Sequence, residues 1–318
     1  MSKPVLFASV RPLERAENIK ALWDKYKGKK EFVQLDGNRN DPVLADAKYK
    51  VLVTDEFVRR SPEVCIMIGH GIAGGKTFGL DQPYSYHTHD DARLITWVIT
   101  TGELVRGIIA RQSGVSIDKV LPLGMPRTDQ YFKVRGSGRG KRTYLYAPTY
   151  RGYGEGEDPL DTTDFREIDE LLNDDEEFII KAHMLESDLR DPVLEYEHIK
   201  IVSNREQSAE YLIGCDVLIT DYSSILFDAY LLNKPVVLFA KDVNQFIWHR
   251  GMYFKYPEGY SERFCDNETD LVRMIREADA PTEIERRIRK IVCENCDGHS
   301  TDRILELIKE ENRQGRKK

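Results

Sequence analysis

The stretch Asp216–Asp242 reads DVLITDYSSILFDAYLLNKPVVLFAKD. DVLIT is a short apolar run ending at Asp221, two serines follow where a helix must begin, and ILFDAYLLN keeps apolar residues at helical spacing until Lys234-Pro235 stops it. The order is strand, serine pair, helix, strand. Such a βαβ unit sets the helix N-terminus at the carboxyl edge of a parallel sheet, where unpaired backbone N–H groups and the positive end of the helix dipole face outward. A phosphate fits there. Ser223 and Ser224 would add hydroxyl donors, and the segment holds no evident partner that would tie Asp221 to a core. A serine ahead of a helix is also a common N-cap, so the segment alone leaves an anion site and a plain cap both open.

The same alternation runs outward in both directions. PVLFASV (4–10), EFVQLD, VLVTDE, VCIMIG, LITWVIT and KVLPLGM read as strands, interleaved with helical patterns at NIKALWDKY, PVLADAKY and ELVRGIIARQSG. TYLYAP, EFIIKAH, IKIVS and DVLIT are strands of a second set, with helices at FREIDELLN and EQSAEYLIG. Strands alternating with helices predict doubly wound parallel sheets. Between the sets, VRGSGRGKR (134–142) is glycine-rich, basic and without apolar periodicity, as a hinge would be. The expected fold is therefore α/β, two Rossmann-like domains whose parallel sheets face each other across a cleft, spanning residues 1–136 and 137–318. The end of the chain reads as helix, break, helix and basic tail.

Composition bounds the function. With 318 residues, 41% hydrophobic and 32% charged, the chain can bury two cores. No apolar run is long enough to span a bilayer and no apolar block marks a signal peptide, which predicts a cytoplasmic protein. A net charge of -7 argues against a general nucleic-acid binder. Five cysteines in such a chain read as reduced thiols, and the lone Cys293-x-x-Cys296 pair as unligated. His87 and His89, with Asp90 and Asp91, read as a polar loop rather than a metal site. No G-x-G-x-x-G follows the first strand, which disfavours an NAD-dependent dehydrogenase.

Chemistry concentrates at strand ends. His70 directly follows VCIMIG, with Gly71 and Gly74-Gly75-Lys76 beyond it, and His183 closes EFIIKAH at the analogous place in the second set. A histidine at the carboxyl end of a parallel strand lies where ligands bind, and its proton affinity suits it to take a proton from a hydroxyl. APTYRGYG offers Thr149 and the donor fork of Arg151 for a phosphate. In DGHSTDRI, Ser300, Thr301 and Arg303 open a helix, again as cap or anion site. Each of these is also compatible with a capping, core or solvated role.

Assembled, the motifs LYAPTYR, KAH, DVLITDYSSILFDAYLLNKPVVLFAKD, HRGMYFKY and DGHSTDR stand in the order found in the CDP-glycerol glycerophosphotransferase family, which the chain resembles most strongly from about Tyr144 to Arg303. In the first half the resemblance rests on the HG of His70, on Lys76 and on GMPRTD. The family usually has an aromatic residue at Gly69 and a proline at Met184, and many of its members carry extra N-terminal sequence, which would make this a short one. The resemblance implies a GT-B-like enzyme of teichoic acid or capsule polymer synthesis, transferring glycerol phosphate from CDP-glycerol, or ribitol phosphate from CDP-ribitol, with release of CMP. It implies His70 as base and His183, Arg151, Ser223 and Ser224 on the diphosphate. It further implies Lys76, Arg127, Thr149, Asp221, Arg250, Ser300 and Arg303 as substrate-binding positions. No cofactor and no metal are expected, because helix termini and cations suffice to neutralise charge. The implied acceptor is a lipid-linked saccharide or polymer at the inner membrane face. There the lysines of KYKGKK (Lys25 to Lys30) and the RQGRKK tail could touch anionic headgroups, although solvated charge explains both. Two other readings remain: a GT-B glycosyltransferase or epimerase acting on a nucleotide sugar, and a non-catalytic nucleotide-binding module.

Overall fold

The computed structural model describes residues 3–77, 79–81, 92–134, 140–152, 157–182, 196–203 and 206–313. The chain divides into two compact units. Unit 1 comprises Met1–Ala73, Phe78–Lys133 and Ile291–Lys318, and unit 2 comprises Gly74–Thr77 and Val134–Lys290. The division at 136/137 expected from composition thus misses two exchanges of chain: the last helix belongs with the first unit, and a four-residue strip after His70 belongs with the second.

Unit 1 is built on six parallel strands: β1 (Val5–Ser9), β2 (Lys30–Gln34), β3 (Val51–Thr54), β4 (Val64–Met67), β5 (Trp97–Thr100) and β6 (Val120–Pro122). Their order is β2-β1-β3-β4-β5-β6. β1, β3 and β4 are buried along their whole length, as strands covered on both faces must be. Helices α1 (Glu17–Lys25) and α2 (Glu103–Ser113) cover the sheet. The helical patch expected at PVLADAKY shrinks to a 3-10 turn, Pro42–Ala45, capped by the Asp41 carboxylate.

Unit 2 repeats the plan with β7 (Arg142–Tyr146), β8 (Glu176–Lys181), β9 (Ile199–Val202), β10 (Val217–Thr220), β11 (Val236–Phe239) and the short β12 (Phe264–Cys265), all parallel, in the order β12-β11-β10-β7-β8-β9. Its helices are α3 (Pro159–Thr162), α4 (Phe165–Leu171), α5 (Ser208–Gly214), α6 (Ile225–Leu231), α7 (Val243–His249), α8 (Glu268–Glu277) and α9 (Glu283–Val292); the last runs into unit 1. Helix α10 (Ser300–Arg313) completes unit 1.

In each sheet the direction of winding reverses once, between β1 and β3 in unit 1 and between β7 and β10 in unit 2. The crevice outside the carboxyl ends of strands at such a reversal is where open parallel sheets bind ligands. Ser9, Asp55 and Glu56 lie at or just beyond the first reversal. Ala147 to Arg151 and Asp221 to Ser224 lie just beyond the second.

Candidate active site

In unit 2, Asp221 directly follows β10 with 1% of its surface exposed. Its Oδ1 accepts from the amides of Thr149 (2.8 Å) and Tyr222 (2.6 Å), and its Oδ2 lies 2.8 Å from Arg151 Nη2. Arg151 is committed as fully. Its Nε and Nη2 reach the two oxygens of Asp242 at 2.7 and 3.1 Å, its Nη1 donates to Thr149 O, and its plane lies 5.0 Å from the Tyr222 and Phe246 rings. Those rings stack on each other at 3.7 Å, and the Tyr222 hydroxyl donates to Asp242. Burial opposes the arginine charge, but Asp221 and Asp242 overcome it and hold the pKa above its ordinary value. The expectation that Arg151 offers its fork to a phosphate and that Asp221 lacks a partner is therefore corrected. Both are spent inside the protein, fixing the 147–151 loop to the end of β10. Asp242, Tyr222 and Phe246 were missed, and their only sequence signal is position after a buried strand.

What this frame presents is a set of hydroxyls. Ser223 and Ser224 stand partly exposed before α6; the Ser224 hydroxyl makes no cap bond, and Ser223 Oγ meets the Ile225 amide only at 3.5 Å. Plain capping is thus poorly served. The Thr149 hydroxyl is buried and has no hydrogen-bond partner among the described residues, which the strand-end reading did not anticipate. Gly74–Thr77 joins unit 2 by pairing with 251–253: Lys76 bridges Met252, Thr77 N donates to Gly251 O, Tyr253 N to Gly75 O, and the Thr77 hydroxyl to the Arg250 carbonyl. A side chain at Gly75 would stand 3.9 Å from Tyr222 O. The GGK strip, the DYSS turn and the HRGMY segment, far apart in the chain, are neighbours here, so Lys76 and Arg250 belong to the unit that carries the serines.

In unit 1, His70 follows β4 with 30% of its side chain exposed. Its Nδ1 lies 3.3 Å from Asp55 Oδ2 and its Nε2 2.5 Å from Glu56 Oε1. Burial would lower the affinity of the ring for a proton, but the two carboxylates outweigh it and raise its pKa. Glu56, desolvated but paired with His70 and Arg39, lies below the usual glutamate value. Both acids follow the run VLVT, a strand-end signal that the reading of this segment passed over.

The expected sites near the carboxyl terminus are corrected. Ser300 is fully buried, and the anion at the start of α10 is the chain's own Asp129, whose two oxygens accept from the Ser300 and Thr301 amides at 3.0 and 2.8 Å. Arg303 donates to the carbonyls of Leu123 and Asn295 and to both oxygens of Asp297. GMPRTD and DGHSTDR are two halves of one clasp. Arg127 takes part from the same side: its amide donates to Asn18 Oδ1, and its guanidinium faces Glu17 at 3.6 Å. Of the KYKGKK lysines, Lys25 pairs with Asp302, and Lys30 donates to the carbonyls of Trp23 and Tyr26. His183, His87, His89, Asp90 and Asp91 lie outside the described residues. All five cysteines are buried free thiols. Among the described residues, one group has metal-ligand proximity, Asp174, Glu197 and His198 at the amino ends of β8 and β9. No described helix is long and apolar enough to cross a membrane.

These two sheets, reversing at the strand ends that carry the candidate residues, define a GT-B-like α/β protein. The solved wall teichoic acid polymerase TagF, in a variant soaked with CDPG, matches with a TM-score of 0.76 at 19% identity, over 98% of this chain and 89% of that one. The UDP-GlcNAc 2-epimerase of Neisseria meningitidis matches at 0.59 and 14% identity, over 97% and 100%. Residues 3–310 match the model of CDP-Glycerol:Poly(glycerophosphate) glycerophosphotransferase, and the chain belongs to that family. It is 26% identical to the teichoic acid poly(ribitol-phosphate) polymerase of Bacillus spizizenii over 96% of its own length and 56% of that protein. It is 28% identical to the teichoic acid glycerol-phosphate primase of Bacillus subtilis, over 71% and 65%. The chain thus spans less than two thirds of either relative.

Proposed function

We propose that the protein transfers a polyol phosphate from CDP-glycerol or CDP-ribitol to a hydroxyl of a lipid-linked saccharide or polyol-phosphate polymer, releasing CMP. The observation that carries this reading is the family match along residues 3–310. The acceptor oxygen attacks the phosphorus bearing the polyol, the bond from that phosphorus to the bridging oxygen breaks, and its electron pair leaves on CMP. His70 takes the acceptor proton. Lys76, Arg250, Thr149, Ser223 and Ser224 bind the diphosphate and stabilise the charge that builds on the leaving group, while Arg151 and Asp221 hold their loops in place. His183 retains the diphosphate role that the family resemblance implies. The reaction needs no metal, and the site works at the cytoplasmic face of a membrane, touching it through acceptor and exposed lysines.

The deciding experiment supplies CDP-glycerol, CDP-ribitol and UDP-sugars in parallel with lipid-linked acceptors and measures nucleotide release. CMP release from a CDP-polyol, unaffected by EDTA and abolished in His70→Ala, is expected. The likeness to UDP-GlcNAc 2-epimerases favours a second reading, and turnover of a UDP-sugar without CMP release would replace the first with it.

A further inference from the structure

The surroundings of His70 are more specific than a strand-end base requires. A neutral imidazole carries one N–H and one lone pair, so it satisfies a carboxylate at only one ring nitrogen. His70 has carboxylates at both, Asp55 at Nδ1 and Glu56 at Nε2. The Nε2 contact is a hydrogen bond while Asp55 lies at ion-pair distance from Nδ1, and both negative charges favour the protonated ring. The acids are themselves anchored from three elements. Ser9, ending β1, donates to Asp55 Oδ2 at 3.0 Å, and Arg39, from the loop after β2, meets Glu56 Oε2 at 3.1 Å. The Glu56 amide donates to Thr54 Oγ1, and Asn18 Nδ2 holds the Gly69 carbonyl just ahead of the histidine. Arg11, beyond β1, adds a positive charge that works against the protonated ring.

The two acids are not equivalent. Asp55 is 5% exposed, tied to Ser9 and 3.3 Å from Nδ1, the side from which a buried carboxylate orients a catalytic histidine. Glu56 occupies Nε2, the nitrogen left to receive a proton from outside. Resting on the reading of His70 as the proton acceptor, we infer that Glu56 is a positioning residue for the transfer, holding Nε2 until the acceptor hydroxyl takes its place. In the working form the ring has lost one proton, keeps Nδ1–H on Asp55 and presents the Nε2 lone pair, with Glu56 turned toward Arg39. The hydroxyl proton passes to Nε2 as the oxygen–phosphorus bond forms and CMP leaves, and the resulting imidazolium is again held between two carboxylates. Glu56 therefore makes His70 a stronger base and moves the acidic edge of the rate profile upward.

Two substitutions with opposite signs test this. Glu56→Gln removes a negative charge from Nε2, so the acidic edge of kcat/KM moves down by roughly one pH unit and the plateau kcat falls, with KM for the CDP-polyol unchanged. Arg39→Gln removes the charge that offsets Glu56, and the edge moves up. NMR titration of the His70 ring in the same proteins reads the effect without any activity, and circular dichroism verifies the fold. A ring titration identical in wild type and Glu56→Gln, or both variants shifting the same way, overturns the inference. Should the titrations move as stated while His70→Ala releases CMP at the wild-type rate, the assignment of His70 as base fails instead, and this role of Glu56 falls with it.

Discussion

Arg151 meets two carboxylates and the faces of two stacked rings while 4% of its side chain is exposed. Truncation to alanine would leave Asp221 and Asp242 buried without a cation, a loss of about 3–5 kcal/mol measurable by urea unfolding of unit 2. Lysine at this position recovers only part, since a point charge cannot bridge Asp242 through two nitrogens. Ser223→Ala and Ser224→Ala behave differently. Their hydroxyls are not committed to capping, so the melting temperature holds while KM for the CDP-polyol rises about tenfold or more, the effect of losing one hydrogen bond to a charged group. A small polar residue at a strand end announces itself in sequence, and these two did. Whether an arginine serves a ligand or a neighbouring carboxylate does not show, because its partners come from positions 70 and 91 residues away.

Helix α10 is held by its first turn. Asp129 accepts from two of its amides, and removing such a cap costs about 1–2 kcal/mol, so Asp129→Ala lowers the unfolding free energy of unit 1 by that amount. Gly124→Ala costs more. Its φ of +91° disfavours a side chain, and a Cβ there would stand 2.3 Å from the Asn295 carbonyl and the Ser300 hydroxyl. Helix α9 begins with a reciprocal pair, Thr282 N to Glu285 Oε2 and Glu285 N to Thr282 Oγ1. Burial raises the Glu285 carboxyl above its ordinary value, against the pull of Ser261 and Arg263. The folded state therefore holds this proton more tightly than the unfolded one, and the group's contribution to stability falls as pH rises from the unfolded value to the folded one. Glu285→Gln removes that loss, so its unfolding free energy relative to wild type improves as pH rises above the ordinary glutamate value in denaturant titrations.

For the molecule as a whole, the return of residues 291–318 to unit 1 makes that unit's core depend on both ends of the chain. A chain stopped after Lys290 leaves the Thr101 hydroxyl without the Val292 carbonyl, Trp97 Nε1 without Glu311, and Asp129 without amides to cap. Loss of cooperative unfolding in unit 1, with β7 to β12 still protected in hydrogen exchange, is the expected result. The sequence by itself determined the α/β class, the two sets of strands, and the strand-end positions of His70, Thr149, Ser223 and Ser224, because a strand buried on both faces is written as an apolar run and its end as a polar break. Only the tertiary structure decided which charged residues face each other. It placed Lys76 beside the DYSS turn, spent Arg303 and Asp129 on a clasp, and set Glu56 against His70. Charge pairing acts between residues that the chain separates and the fold brings together, and no local periodicity records it.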